Sequence, residues 1–338
     1  MTQDAGPRAA SRRIGIADVA ALAGVSLGTA SKALNGRGTL REETRARVRA
    51  AADELGFAPS SIARSLKTGR TFTVGIITTD SYGRFSIPVM RGVEDSLGVG
   101  EMIAFLCDSR DDPIREQHHL RKLLERQVDG IIVAGRRTDA RPPLSETLPV
   151  PVVYAFARSS DPEDCSVVSD EHGAARLAIE HLVKTGRRRI AHITGPRSHA
   201  SARERADGAT EALTEHGLEL VGEPMFGSWS EAWGRFAVAQ LLRTDPGLDG
   251  VFCGNDVVAR GVLDGLREGG ISLPMQVGVV GVDNWGVVAE AARPPLTTVD
   301  LGLEEIGHHA GDLLLAAIDG HPAPGTHIVP SHLVVRES

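Results

Sequence analysis

Few of the side chains able to act as nucleophiles, proton carriers or metal ligands stand at spacings that such chemistry needs. The adjacent histidines His118-His119 and His308-His309 point to different faces of a helix, so neither pair converges on one ion as an i, i+4 pair would. Cys107, Cys165 and Cys253 are odd in number and far apart, with no C-x-x-C among them. That argues against both a disulfide framework and a zinc site. No G-x-G-x-x-G follows a strand-like run, no G-x-x-x-x-G-K-[ST] is present, and no G-x-S-x-G joins a strand to a helix. Neither an enzyme, a cofactor nor a metal is expected.

Charge is the other chemistry on offer. The chain has 37 Lys and Arg against 44 Asp and Glu, a net −7. Its first 70 residues invert that balance, with 12 basic against 6 acidic, so a +6 head precedes a −13 remainder. A basic head on an acidic body is the pattern of a chain that brings one end to a polyanion. At 338 residues and 41% hydrophobic the chain can bury a sizeable core in two or three domains. Its apolar runs are strand-length, short of the ~18 residues of a membrane span. Residues 1–13 lack the apolar block of a secretory signal, so a cytoplasmic protein is expected.

The elements of the head follow from periodicity. Ile16, Val19, Ala20 and Ala23 fall at i, i+3, i+4 and i+7, one apolar face of a short helix. Gly24-Val25 interrupts it, Ser26 is a suitable N-cap for a second helix, and Asn35-Gly36 stops that helix near Leu34. Two short helices about a glycine turn predict a helix-turn-helix.

The run DVAALAGVSLGTASKALN, Asp18 to Asn35, resembles the head of the lactose-repressor and galactose-repressor (LacI/GalR) family, with Ala30 where that pattern has Val. ETRARVRAAADELGFAP, from Glu43 to Pro59, is similar to the family's third helix. The resemblance implies that the second helix enters the major groove of double-stranded operator DNA. Leu27, Gly28, Thr29 and Lys32 would then face base edges. Thr29, Ser31, Asn35 and the Ser26 backbone would touch phosphate and set register. Gly28 replaces a reading side chain of many relatives, and Gly15 replaces their capping Thr. The segment PSSIARSLK, 59 to 67, is too short to hold a helix alone. By resemblance it folds against DNA and its paired copy, where Leu66 wedges a base step from the minor groove and Lys67 meets phosphate or the groove edge. The expected organisation is a tail at 1–13, a DNA-binding domain at 14–58, a hinge at 59–70 and an effector-binding and dimerisation domain at 71–338.

Beyond Thr71, apolar strand-like runs begin at 72, 102, 130, 150, 189, 250 and 277, and helical patterns lie near 86–98, 114–127, 173–186, 201–217, 231–243, 256–270 and 303–319. Such alternation predicts parallel sheets wrapped by helices. So many strands suit two doubly wound lobes with ligand at the strand C-terminal ends. The fold expected is a small all-α helix-turn-helix head plus an α/β body of two doubly wound parallel-sheet lobes.

The resemblance extends over the body, through EHLVKTGRRRIAHITGP (180–196), SARERADG (201–208), FCGNDVVARGVLDGLREGG (252–270), VVGVDNW (279–285) and PPLTTVD (294–300). These are similar to the family's inducer-binding core, which is related to periplasmic sugar-binding proteins. Motif by motif it implies that Arg205, Trp229, Asn255, Asp256 and Asp283 contact a small-molecule effector, and that Asp80, Phe85 and Phe156 line the first lobe's wall. Carboxylate, amide and guanidinium groups can pair sugar hydroxyls while an aromatic face covers the C–H side. Two local readings stand beside this one: Trp229 and Trp233, at i, i+4, pack together on a core face, or Asn255 and Asp256 cap the following helix. The resemblance implies a homodimeric repressor of sugar uptake or catabolism genes, bound to a palindromic operator and released by a sugar effector; the alternatives are a regulator of the same family with a purine or nucleoside corepressor, or a sugar-binding module without DNA function. After a last strand near His327 to Val335 only three residues remain, too few for a tetramerising heptad helix.

Overall fold

In the computed structural model, residues 14–34, 39–57, 69–98, 102–145 and 147–338 are described. Gly15 caps helix α1 (Ile16–Leu22) without a side chain of its own. Instead the Asp18 carboxylate reaches back and accepts the Gly15 N–H at 2.8 Å, the return half of a capping box. Gly24, at φ +64°, makes the turn that follows. Helix α2 (Leu27–Leu34) starts where Ser26 Oγ accepts the Thr29 N–H at 3.1 Å. Helix α3 (Glu42–Glu54) completes a core built mostly of alanine: Val19, Ala20, Ala23, Ala30, Ala33, Val48, Ala51 and Ala52. Arg47 Nε donates to the Ala23 carbonyl at 2.9 Å, satisfying a carbonyl that the end of α1 leaves unpaired.

The chain divides into two units, Met1–Thr71 and Phe72–Ser338. The second unit begins with strand β1 (Thr73–Thr78), helix α4 (Ser86–Leu97), β2 (Ile103–Asp108), α5 (Pro113–Glu125), β3 (Gly130–Ala134), the short β4 (Ala140–Arg141), β5 (Val152–Ala155), the short β6 (Arg158–Ser159) and β7 (Cys165–Ser169). It continues with α6 (Glu171–Lys184), β8 (Ile190–Thr194), α7 (Ala200–Glu215), β9 (Met225–Phe226), α8 (Glu231–Thr244), β10 (Gly250–Cys253), α9 (Asp256–Glu268), β11 (Gly278–Val282), α10 (Gly286–Ala289) and β12 (Thr297–Asp300). Helix α11 (Leu303–Ile318), β13 (Gly325–Val329) and β14 (His332–Val334) close the chain.

Two six-stranded sheets result, ordered β13-β7-β5-β3-β1-β2 and β14-β12-β11-β10-β8-β9. Every pairing in both is parallel except that of β12 with β14. This is the pair of doubly wound lobes expected, with strand order reversing beside β1 in one sheet and beside β8 in the other. The chain passes between lobes three times: from β7 to α6, which packs on the second sheet, from β12 to α11, which packs on the first, and from β13 to β14. The single last strand expected near His327 to Val335 is thus two strands in different sheets, divided at Pro330-Ser331. An apolar cluster runs from Val74 and Ile132 of the first sheet to Val280 and Val299 of the second.

One close approach depends on absent side chains. A Cβ on Gly92 of α4 would lie 1.9 Å from the Glu304 carbonyl oxygen, and one on Gly307 of α11 would lie 2.0 Å from that of Val89. Among the described residues, no helix is long and apolar enough to cross a membrane.

Candidate functional site

The loops after successive strand C-terminal ends of both lobes meet around a cleft of about 340 Å³, the size of a small-molecule site. Arg84, Phe85, Arg136, Arg137, Thr138 and Phe156 line it from the first lobe. Glu171, after the first crossing, His199, Ser201, Arg205, Trp229, Asn255 and Asp283 line the remainder.

Each wall has a local cause. Asp80 ends the β1 loop with its carboxylate accepting the N–H groups of Phe85 and Ser86, at 2.7 and 3.0 Å, and so fixes the start of α4. Phe85 then stacks on Phe156, ring centroids 5.2 Å apart, giving an apolar wall. Phe156 takes a left-handed φ of +48°.

Trp229 forms the facing wall. Its ring lies so close to Gly195 that a Cβ there would fall 2.1 Å from the indole, and its Nε1 donates to His199 Nδ1 at 2.9 Å. His199 must therefore carry its own proton on Nε2. Burial pushes the pKa of this imidazole down, helped by the charges of Arg137, Arg136 and Arg203. Trp233 faces elsewhere and donates to the Thr194 carbonyl at 2.9 Å.

At the floor, Arg205 is almost fully buried and ion-paired with the buried Glu171, 2.7 Å from Nε and 2.5 Å from Nη2. Arg205 also donates to the Gly254 carbonyl. Glu171 takes a further bond from Ser169 Oγ at 3.0 Å. Burial raises the Glu171 pKa against the pull of Arg205. Asn255 caps α9, its Oδ1 accepting the Val258 N–H at 2.8 Å.

Six of the eight sequence candidates for the effector, Arg205, Trp229, Asn255, Asp283, Phe85 and Phe156, come together at this cleft. Asp80 and Asp256 lie outside its lining. Asp80 is spent on the α4 cap, and Asp256, fully buried, accepts Trp285 N–H at 2.7 Å and Thr298 Oγ1–H at 2.5 Å. Burial, then the neighbouring Asp283 charge, lifts the Asp256 pKa to about 8. Both positions act beside the cleft, bracing the loops that carry Phe85 and Asp283. Sequence reasoning passed over Arg84, Arg136, Arg137, Thr138, Glu171, His199 and Ser201. The available signal was position, since Arg136 and Arg137 directly follow GIIVAG at the end of a predicted strand, where ligands of open sheets bind.

Among the described residues, three polar contacts span the cleft: Arg84 meets Asp283, Arg158 Nη1 lies 3.5 Å from Glu204 Oε1, and Asp139 Oδ1 accepts the Ala200 N–H at 2.8 Å. On the head, Ser26, Leu27, Gly28 and Lys32 are exposed on or before α2, while Thr29 and Ser31 are half-buried. Asn35, Leu66 and Lys67 lie outside the described residues, as does most of the hinge expected at 59–70.

The fold and cleft define a two-lobed ligand-binding body carrying a helix-turn-helix head. Residues 15–60 match the model of the lacI family of bacterial regulatory proteins, and residues 179–338 that of a periplasmic binding protein-like domain. The HTH-type transcriptional regulator CelR of Thermobifida fusca is 35% identical, covering 97% of this chain and 98% of its own length. Among solved structures, the transcriptional regulator CelR-cellobiose complex matches with a TM-score of 0.66 at 32% identity, covering 96% of this chain and all of that one. The Lac repressor dimer bound to operator and an anti-inducer matches with a TM-score of 0.71 at 25% identity, covering 96% and 99%. This chain belongs to the lacI family of bacterial transcriptional regulators.

Proposed function

We propose that this regulator represses genes of sugar uptake or catabolism, binds a palindromic operator as a homodimer, and is released when a sugar occupies the cleft. The observation that carries the reading is the convergence of Arg205, Trp229, Asn255 and Asp283 with Phe85 and Phe156 on one cleft between two lobes. A ligand there touches both lobes, so its affinity depends on their arrangement, which is what a switch requires. The similarity to a regulator solved with cellobiose supports a sugar. At the head, exposed Leu27 and Lys32 on α2 are assigned to base edges, and Ser26, Thr29 and Ser31 to phosphate. Asn35, Leu66 and Lys67 are assigned by family resemblance.

A homodimer is supported by the open edge of the first sheet. Among the described residues strand β2 pairs with β1 alone, yet leaves Ile103, Phe105 and Leu106 exposed. A bare apolar edge strand is a pairing surface.

The test selects duplexes from a random pool with the full-length protein and then titrates sugars against the selected complex. A palindromic consensus, affinity that falls steeply with salt, and release by one sugar are expected. Equal binding to selected and random duplexes, with and without sugars, would remove the regulator reading at operator level.

A further inference from the structure

The cleft is rich in donors and poor in acceptors. Its two carboxylates are each ion-paired, Glu171 to Arg205 and Asp283 through Oδ2 to Arg84, and Asn255 Oδ1 is taken by the α9 cap. The donors are far less engaged. Arg137 has its nearest carboxylate, Asp139, 4.0 Å from Nε. His199 spends Nδ1 on accepting from Trp229, so Nε2–H is left to donate. Helix α7 starts at the same place with no side-chain cap from its own N-cap residue, and only its Ala200 N–H is met, by Asp139. Thr138 lines the cleft and is 1% exposed, yet its hydroxyl has no hydrogen-bond partner among the described residues.

A buried hydroxyl without a partner is costly in a folded protein, so this one points to a group that arrives with the ligand. A neutral sugar donates about as often as it accepts and would find its own O–H protons unmatched here. An oxyanion only accepts, and a helix N-terminus beside arginines favours its charge. The Asp139 carboxylate at Ala200, whose Oδ2 is also buried without a hydrogen-bond partner among the described residues, sets one negative charge against the three guanidinium charges of Arg137, Arg136 and Arg203 that bear on His199 with it.

We propose that the effector is anionic, a sugar acid or sugar phosphate, with its oxyanion held by Arg137, Thr138, His199 Nε2–H and the first turn of α7. This rests on the cleft being the effector site. Trp229 and the Phe85–Phe156 pair would cover the sugar ring, leaving the charged end at the α7 side.

The experiment measures thermal shift and calorimetric affinity of the full chain with glucose, ribose and cellobiose, each beside its phosphate ester and aldonic acid, and with inorganic phosphate alone. At least one charged member should raise the midpoint where its neutral parent does not, and which anion succeeds separates phosphate from carboxylate. Arg137→Gln should weaken that ligand by about ten- to a hundred-fold, the loss of a charge-assisted contact. Thr138→Val should raise the midpoint of the free protein while shrinking the ligand-induced shift, a combination that a purely structural threonine does not give. Neutral sugars binding as well as their charged counterparts, or no response to any charged member, overturns the anionic effector. A neutral sugar that releases DNA would sink this inference and leave the repressor reading standing. An anion that binds the cleft without altering DNA affinity would keep the oxyanion site but overturn its role as the effector site, and the repressor reading with it.

Discussion

The Arg84 guanidinium, on the loop after β1, meets the Asp283 carboxylate, on the loop after β11, and so ties the two lobes across the mouth of the cleft. Arg84 also lies over the rings of Trp285 and Phe85, at 4.5 and 4.9 Å. Asp283 holds φ +110°, a backbone state that costs a residue with a side chain about 1–3 kcal/mol. Strain is thus placed where the lobes touch. Arg84→Met should remove the tie and leave the Asp283 side chain, 7% exposed, without its cation. The expected loss is roughly 1–3 kcal/mol in urea unfolding, with a larger radius of gyration in solution scattering as the lobes part. An unchanged radius would show that the pair does not hold the lobes together.

Gly195 sets the position of Trp229. A methyl at 195 would fall 2.1 Å from the indole, so Gly195→Ala must displace the ring and break its bond to His199. Overpacking of this kind costs about 1–3 kcal/mol, and effector affinity should fall by roughly ten-fold or more as the aromatic wall moves. Calorimetric titration with the effector checks this, and an unaltered affinity would remove Trp229 from the site.

How far the sequence reveals this site depends on the kind of signal. Alternation of apolar runs with helical periods marks the two wound lobes, because β1, β3 and β10 are nearly continuous apolar segments buried on both faces. The central strands β7 and β12 escape that reading. CSVVS and TTVD place Ser166, Ser169, Thr297 and Thr298 in the interior, where they serve the loops: Ser169 braces Glu171 and Thr298 braces Asp256. Asp256 and Asp283 are near neighbours in motif terms and differ in outcome for the same reason. A motif marks the residue type, whereas only the backbone turn after β11 decides which carboxylate faces the cleft. Arg137 and His199 come from loops of opposite lobes, and their meeting is a property of lobe closure.

His192 makes the body sensitive to acid. It is fully buried against Phe252, ring centroids 4.5 Å apart, and its Nδ1 lies 3.0 Å from the Phe252 carbonyl, which only accepts. Nδ1 therefore carries the proton, and the buried Nε2 has no partner among the described residues for a second one. Burial pushes its pKa down to about 4, against about 6.5 in an unfolded chain. The unfolded state binds more protons between those values, so stability falls as pH drops from about 6.5 to 4, by roughly 3 kcal/mol in all. Asp256, lifted to about 8, acts oppositely, adding stability at low pH that is lost as pH rises through 8. Comparing wild type with His192→Leu cancels the Asp256 contribution. The variant should be less stable at pH 8, and the gap should narrow between pH 6.5 and 4; a gap independent of pH would rule out a neutral buried His192.

Leu27 and Ser26 separate recognition from folding in the head. Leu27 is 54% exposed, so Leu27→Ala should leave the head's melting nearly unchanged. Its operator affinity should nonetheless fall, by roughly 1–2 kcal/mol as apolar contact with a base methyl is lost. Ser26→Ala removes the α2 cap at Thr29 and should cost about 1 kcal/mol of head stability. Circular dichroism melts paired with fluorescence anisotropy on the operator check both, and unimpaired binding by Leu27→Ala would assign operator reading to other positions.

Phe105 tests the assembly. Its ring is 40% exposed on the free edge of β2, between Ile103 and Leu106, which are 62% and 45% exposed. Three apolar side chains on an unpaired edge are unfavourable in a monomer, since each leaves apolar area in water at about 25 cal/mol per Å². The fold itself does not need Phe105 buried, because the pairing of β2 with β1 is by backbone. Phe105→Lys should therefore keep the native circular dichroism and any effector-induced thermal shift. It should move the protein from dimer to monomer in sedimentation velocity at micromolar concentration, through the cost of burying an unpaired charge. Operator affinity should fall with it, since a palindrome read by two joined heads is bound far more tightly than by either alone. A Phe105→Lys protein that still sediments as a dimer would place the self-association surface elsewhere on the body.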